Sequence, residues 1–224
     1  MNDKQAMASA YKAQVARYGM PISDELYKEL REYANDHSIR ISGFRNYIGD
    51  IGIVKEGIDD IYEIGQDFPI ILDKRHGVIL DIDFNMSDDD FATTDSGHVI
   101  KLNAGYINDL DRLKKEYAQL AEKGHFVSNS DWHAIFKHET GHVVANLYNI
   151  DSLNIALDIT QISKKVELFE YLKNELSLYS TAYEDGREII SECFSCYYSR
   201  VNNNFANEFV KRCMEISKKG GCQL

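Results

Sequence analysis

The sequence predicts an α+β fold: a small mixed or antiparallel sheet packed on one central helix, with further helices before and after it. Three observations lead there. Apolar residues recur at helical spacing through most of the chain. Between about residues 69 and 103 that period gives way to short apolar runs separated by turns. One helical stretch, residues 131–148, carries Trp132, Ile135, Phe136, Val143, Val144 and Leu147 around it, as a largely buried helix does.

In chain order, residues 3–19 read as a helix with Met7, Tyr11 and Val15 on one face, ended by Gly19 and Pro21. Ser23 caps the next, which carries Leu26, Leu30, Tyr33 and Ala34. A third spans about 54–64 through Val54, Ile58 and Ile61. After Pro69, Ile70–Leu72 reads as a short apolar strand, 73–77 as a turn, and 78–84 as a second strand. Residues 87–95 read as an acidic loop and 98–103 as a third strand. Asp81-x-Asp83-x-Asn85 imitates the start of a calcium loop, but Met86 stands where the glycine belongs and Ala92 where the glutamate belongs. Helical spacing returns over 108–123, closed by Gly124, and then over 131–148, with Ser128-x-x-Asp131 as its capping box. Further helices are expected at 163–178, 187–200 and 204–218, with a turn at 181–187.

The 224 residues, 44% of them hydrophobic, suffice for a single core, so residues 1–67 are expected to pack as a helical region on the domain formed by 68–224. The net charge of −11 speaks against a nucleic-acid partner. No run approaches the roughly 20 apolar residues of a membrane span. Met1-Asn2-Asp3-Lys4-Gln5 leads into a polar stretch without an apolar segment, so a cytoplasmic location is expected. Cys193 and Cys196 lie on one helix without a second pair and read as core thiols.

The chemistry sits in His138-Glu139-Thr140-Gly141-His142. Histidines four apart project from one face of a helix and can hold one Zn²⁺, leaving other coordination positions open. The intervening glutamate then reaches a water activated by the metal and carries its proton. Gly141 costs about 1 kcal/mol mid-helix relative to alanine, which predicts that another element comes close there. A catalytic zinc needs a third protein ligand. Glu188 and Glu192, one turn apart beside the apolar stripe of Ile189, Ile190, Cys193, Phe194 and Tyr197, offer one ligand and one partner for a histidine; spacing does not say which is which. His133, just over a turn before the motif, is within reach of a supporting position. His37, His76, His98 and His125 read as surface or satisfied polar positions.

The H-E-x-x-H motif, followed downstream by Ser177-x-Tyr179, a short turn and Glu188-x-x-x-Glu192-x-Phe194, resembles the lethal-factor-type zincins. That group includes the catalytic domain of anthrax toxin lethal factor and phage-encoded zincin domains. The upstream Val99–Asn103, a helix, then the motif helix match their order, and the resemblance covers roughly residues 68–218. It implies a zincin-like fold and a gluzincin metal site: His138, His142 and Glu188 on zinc, Glu139 as the base, Glu192 behind a ligand. It also implies a tyrosine, Tyr179 or its competitor Tyr183, stabilising the oxyanion. The strand at 98–103 would be the sheet edge that pairs with a protein or peptide substrate held as an extended strand. The expected function is a zinc-dependent endopeptidase. Two others stand beside it: a phage-associated structural or morphogenesis protein with a vestigial metal site, and a zinc-dependent cell-wall amidase.

Overall fold

Ser23 accepts a hydrogen bond from the Leu26 amide at 3.2 Å and so starts α1, Asp24–Asp36, whose inner face buries Leu30 and Ala34. The structure, a computed structural model, describes residues 20–95 and 97–220. The helix expected at residues 3–19 lies outside them. Asp50 caps α2, Ile51–Asp67, with Val54, Ile58, Ile61 and Ile64 fully buried on one face.

The expected strand at Ile70–Leu72 is instead a single 3₁₀ turn, Pro69–Leu72. Pro69 fixes the backbone angle that opens such a turn, and the Ile70 amide is taken up by the Tyr148 hydroxyl at 3.0 Å, not by a neighbouring strand. Among the described residues the sheet has four strands, β1 (Arg40–Ile41), β2 (Ile79–Asp83), β3 (Ala92–Asp95) and β4 (Val99–Asn103), in the order β1-β2-β4-β3. β1, β2 and β4 are parallel, and β3 runs antiparallel to β4. The sheet is therefore mixed. Strand 98–103 is not an edge: β4 is interior, the edges are β1 and β3, and β3 forms within what reads as an acidic loop.

Beyond β4 come α3 (Ala104–Ile107), α4 (Leu110–Glu122), the motif helix α5 (Ala134–Tyr148), α6 (Ser152–Thr160), α7 (Lys165–Glu175), α8 (Arg187–Tyr198) and α9 (Asn204–Gly220). α5 begins three residues later than expected. Asp131 accepts from the His133 amide at 3.1 Å, and no Ser128–Asp131 box closes the start. α6 is an element the sequence reading lacks; Asp151 caps it through the Asn154 amide at 3.0 Å.

α5 is the hub, with eleven of its residues buried. A methyl group at Gly57 would occupy the space of the Phe136 ring, so α2 lies directly on α5. On another side, a methyl at Gly141 would fall 2.8 Å from the Ser191 Cα, so the α5 and α8 backbones nearly touch. One cluster of buried apolar side chains runs from Leu30 to Cys213, joining the helices before residue 68 to those after it. Among the described residues no helix is long and apolar enough to cross a membrane.

Candidate metal centre

The close approach of α5 and α8 brings three side chains to one point. His138 and His142 lie one turn apart on α5, and Glu188 stands in the first turn of α8. Glu188 Oε2 is 3.1 Å from the Nε2 of His138 and 3.1 Å from the Nε2 of His142. One ligand atom from each residue falls within 4.8 Å of the others, a group that could hold a metal ion. His138 and Glu188 are buried, 8% and 3% exposed.

The donor set fits a metal on a separate ground. Among the described residues, the buried Glu188 Oε2 has no hydrogen-bond partner, although two imidazole nitrogens lie at 3.1 Å. The oxygen and the nitrogens converge without the alignment of a hydrogen bond. A buried carboxylate oxygen left so is costly. Tetrahedral coordination at about 2.0–2.1 Å per ligand separates donor atoms by roughly 3.3 Å, close to the 3.1 Å from the Glu188 oxygen to each imidazole nitrogen.

Glu192, one turn further along α8 and 1% exposed, places Oε1 2.9 Å from the other ring nitrogen of His138, Nδ1. A proton held on Nδ1 by a carboxylate leaves the Nε2 lone pair facing Glu188 and His142. The two glutamates that spacing left equivalent thus take different places: Glu188 meets both imidazoles at Nε2, and Glu192 backs one of them.

Electrostatics of the metal-free cluster follow from this. Burial raises the Glu188 carboxyl, but His138 and His142 outweigh it and hold it down at about 2. For His138 burial favours the neutral ring, yet Glu188, Glu192 and the charge on Glu139 outweigh that and raise it to about 10. Without metal, the proton on His138 takes the place of a cation between carboxylates.

Glu139 is buried, 7% exposed. The Thr94 hydroxyl on β3 lies 2.7 Å from its Oε2 and 3.0 Å from its main-chain oxygen. Both glutamate and histidines line a cleft of about 660 Å³. One wall is β3 at residues 92–94, and Tyr179, Tyr183 and Arg187 also face it. The Tyr179 ring lies 5.6 Å from that of His138, and its phenol is raised by burial and then by the Glu188 charge, so it stays protonated through neutral pH. Tyr183 also borders the cleft, but it is 46% exposed and its ring carries the Arg187 guanidinium at 4.8 Å. Beside His138 a recess of about 120 Å³ is walled by Phe91, Tyr117, Leu120 and Phe126, and also by Asp90, His125 and Glu192.

His133 does not join the cluster. Its Nδ1 is 2.8 Å from Asp60 and its Nε2 3.4 Å from Glu56, both on α2, and the Asp60 hydrogen bond raises its pKa against the effect of burial. Cys193, Cys196 and Cys213 are buried free thiols; burial raises all three, and none is among the grouped metal-ligating residues. Thr94 is the residue the sequence reading missed. The β-branched pair Thr93-Thr94 was its only local signal. The chain matches no family model, no curated protein and no solved structure.

Proposed function

We propose that the chain is a zinc-dependent endopeptidase of gluzincin type, in keeping with its resemblance to the lethal-factor-type zincins. The observation that carries the reading is the convergence of His138, His142 and Glu188 on one buried point, with Glu139 and Tyr179 on the same cleft. Two imidazoles and one carboxylate are a donor set suited to zinc, with positions left for water and substrate. When bound, zinc would polarise the scissile carbonyl and lower the pKa of the attacking water.

The chain's own residues supply the rest. His138 and His142 present Nε2, and Glu192 fixes the tautomer of His138. Glu139 takes the proton of the attacking water and delivers it to the leaving amine. The Tyr179 phenol donates to the carbonyl oxygen as negative charge builds there. The substrate lies extended along β3. The Asn103 amide bonds the Phe91 carbonyl at 3.0 Å, so alternation along the pair turns the Ala92 and Thr94 main chains away from β4 and toward the free edge.

The test is Glu139→Gln against wild type, both loaded with zinc and offered a fluorogenic peptide library. The variant keeps about one zinc per chain and loses turnover by on the order of a hundredfold or more. Chelation silences the wild type and zinc restores it. Undiminished cleavage by the variant removes Glu139 from the mechanism; a wild type that holds zinc and cleaves no peptide removes the peptidase reading.

A further inference from the structure

The β3 edge carries a side chain that reaches from the sheet to the motif helix. Thr94 Oγ1 lies 2.7 Å from Glu139 Oε2 and 3.0 Å from the Glu139 main-chain oxygen, 45 positions away in sequence. A hydroxyl has one proton, so the shorter contact, to the carboxylate, is the principal bond. Among the described residues Glu139 Oε2 is thereby engaged, and no protein donor is bonded to Oε1. Glu139 is otherwise a long side chain with several rotamers at the wall of an open cleft.

We propose that Thr94 is a positioning residue for Glu139. Its hydroxyl donates to one carboxylate oxygen, which fixes the side chain in one rotamer with the other oxygen toward the cleft. This rests on reading Glu139 as the proton carrier. Because Thr94 also lies on the strand whose free edge borders the cleft, the same residue sets the base at a constant distance from an extended substrate. Such a group acts on the chemical step and not on binding, so its loss lowers kcat and leaves KM.

The experiment compares Thr94→Val, which keeps the shape, with Thr94→Ser, which keeps the hydroxyl; Thr94→Ala repeats the loss without the second methyl. Each full chain is loaded with zinc and assayed on the library peptide that the wild type cleaves fastest. A hydrogen bond to a charged group corresponds to roughly a ten- to hundredfold effect, so Thr94→Val is expected to lose that much in kcat. KM should stay within about twofold and zinc at one equivalent, with Thr94→Ser within about threefold of wild type. A second reading uses the metal-free chain: the ¹³C shift of the Glu139 carboxyl carbon should move in Thr94→Val and Thr94→Ala and stay in Thr94→Ser. An unchanged kcat and carboxyl shift in Thr94→Val overturns the proposal, as does a serine variant that fails like valine. If the wild type cleaves no peptide, the peptidase reading falls on its own, and the carboxyl shift alone decides whether Thr94 holds Glu139.

Discussion

Substituting alanine for Gly141 tests how tightly α5 and α8, which carry His138, His142 and Glu188, are drawn together. The added methyl would stand 2.8 Å from the Ser191 Cα, and 3.3 Å from both the Ser191 nitrogen and the Phe194 Cβ. Carbon atoms rest comfortably at about 3.5–4.0 Å, so α8 must retreat by about 0.7 Å or more at Ser191. The closest atoms are backbone, so no side-chain rotation relieves the clash. Alanine recovers about 1 kcal/mol of helix propensity, while overpacking a filled core costs about 1–3 kcal/mol. The metal-free fold should therefore lose about 0–2 kcal/mol, a fall in Tm of at most about 8 °C. Metal binding should suffer more. Coordination distances tolerate about 0.2 Å, and Glu188 and Glu192 ride on α8 either side of Ser191. Calorimetric melting of the metal-free chain and zinc titration against a competing chelator separate the two effects. The expected result is a small drop in Tm with zinc affinity down tenfold or more. An unchanged zinc affinity with Tm equal to or above wild type would show that the helices do not need glycine to meet.

Glu188→Ala should abolish stoichiometric zinc binding, while Glu192→Ala should weaken it by about 10- to 100-fold and leave activity in excess metal; metal analysis after dialysis reads both, and the reverse order would exchange their roles. Zinc affinity should rise with pH. His138 carries a proton in the metal-free chain because its carboxylate neighbours raise it to about 10, and that proton must leave, so affinity gains about tenfold per pH unit below that value. Titration calorimetry at about pH 8 in buffers of different ionisation enthalpy should count about one proton released per zinc; a flat affinity between about pH 6 and 8 would contradict the assignment. Zinc should also raise Tm, and more in wild type than in Glu192→Ala, since a ligand that binds only the folded chain stabilises it by an amount that grows with the logarithm of its affinity.

Much of the site was legible because its information is local. H-E-x-x-H needs only a helix to bring its histidines together, and the cost of Gly141 announced a neighbour that proved to be α8. Glu188 and Glu192 could be named as a pair but not told apart: residues four apart share a face, and only the tilt of α8 against α5 decides which meets Nε2 and which meets Nδ1. β3 was hidden for a different reason. Asp88, Asp89 and Asp90 precede it, and its pairing with β4 is a tertiary choice that overrides poor strand propensity. With the strand went the sheet edge, which the reading put on β4, and Thr94, whose partner is 45 positions away. α6 was missed because Leu153, Ile155, Leu157 and Ile159 alternate as a strand would, while the Asp151 cap commits the segment to a helix. The run Ile70–Leu72 is apolar enough for a strand, but Pro69 begins it as a turn.

The central claim is that His138, His142 and Glu188 hold one zinc ion. Anomalous diffraction at the zinc edge from crystals of the zinc-loaded chain tests it most directly. The account predicts a single strong peak per chain within about 2.0–2.2 Å of the Nε2 atoms of His138 and His142 and of a Glu188 carboxylate oxygen. A peak held by other residues, or no peak between α5 and α8 at saturating zinc, would contradict it.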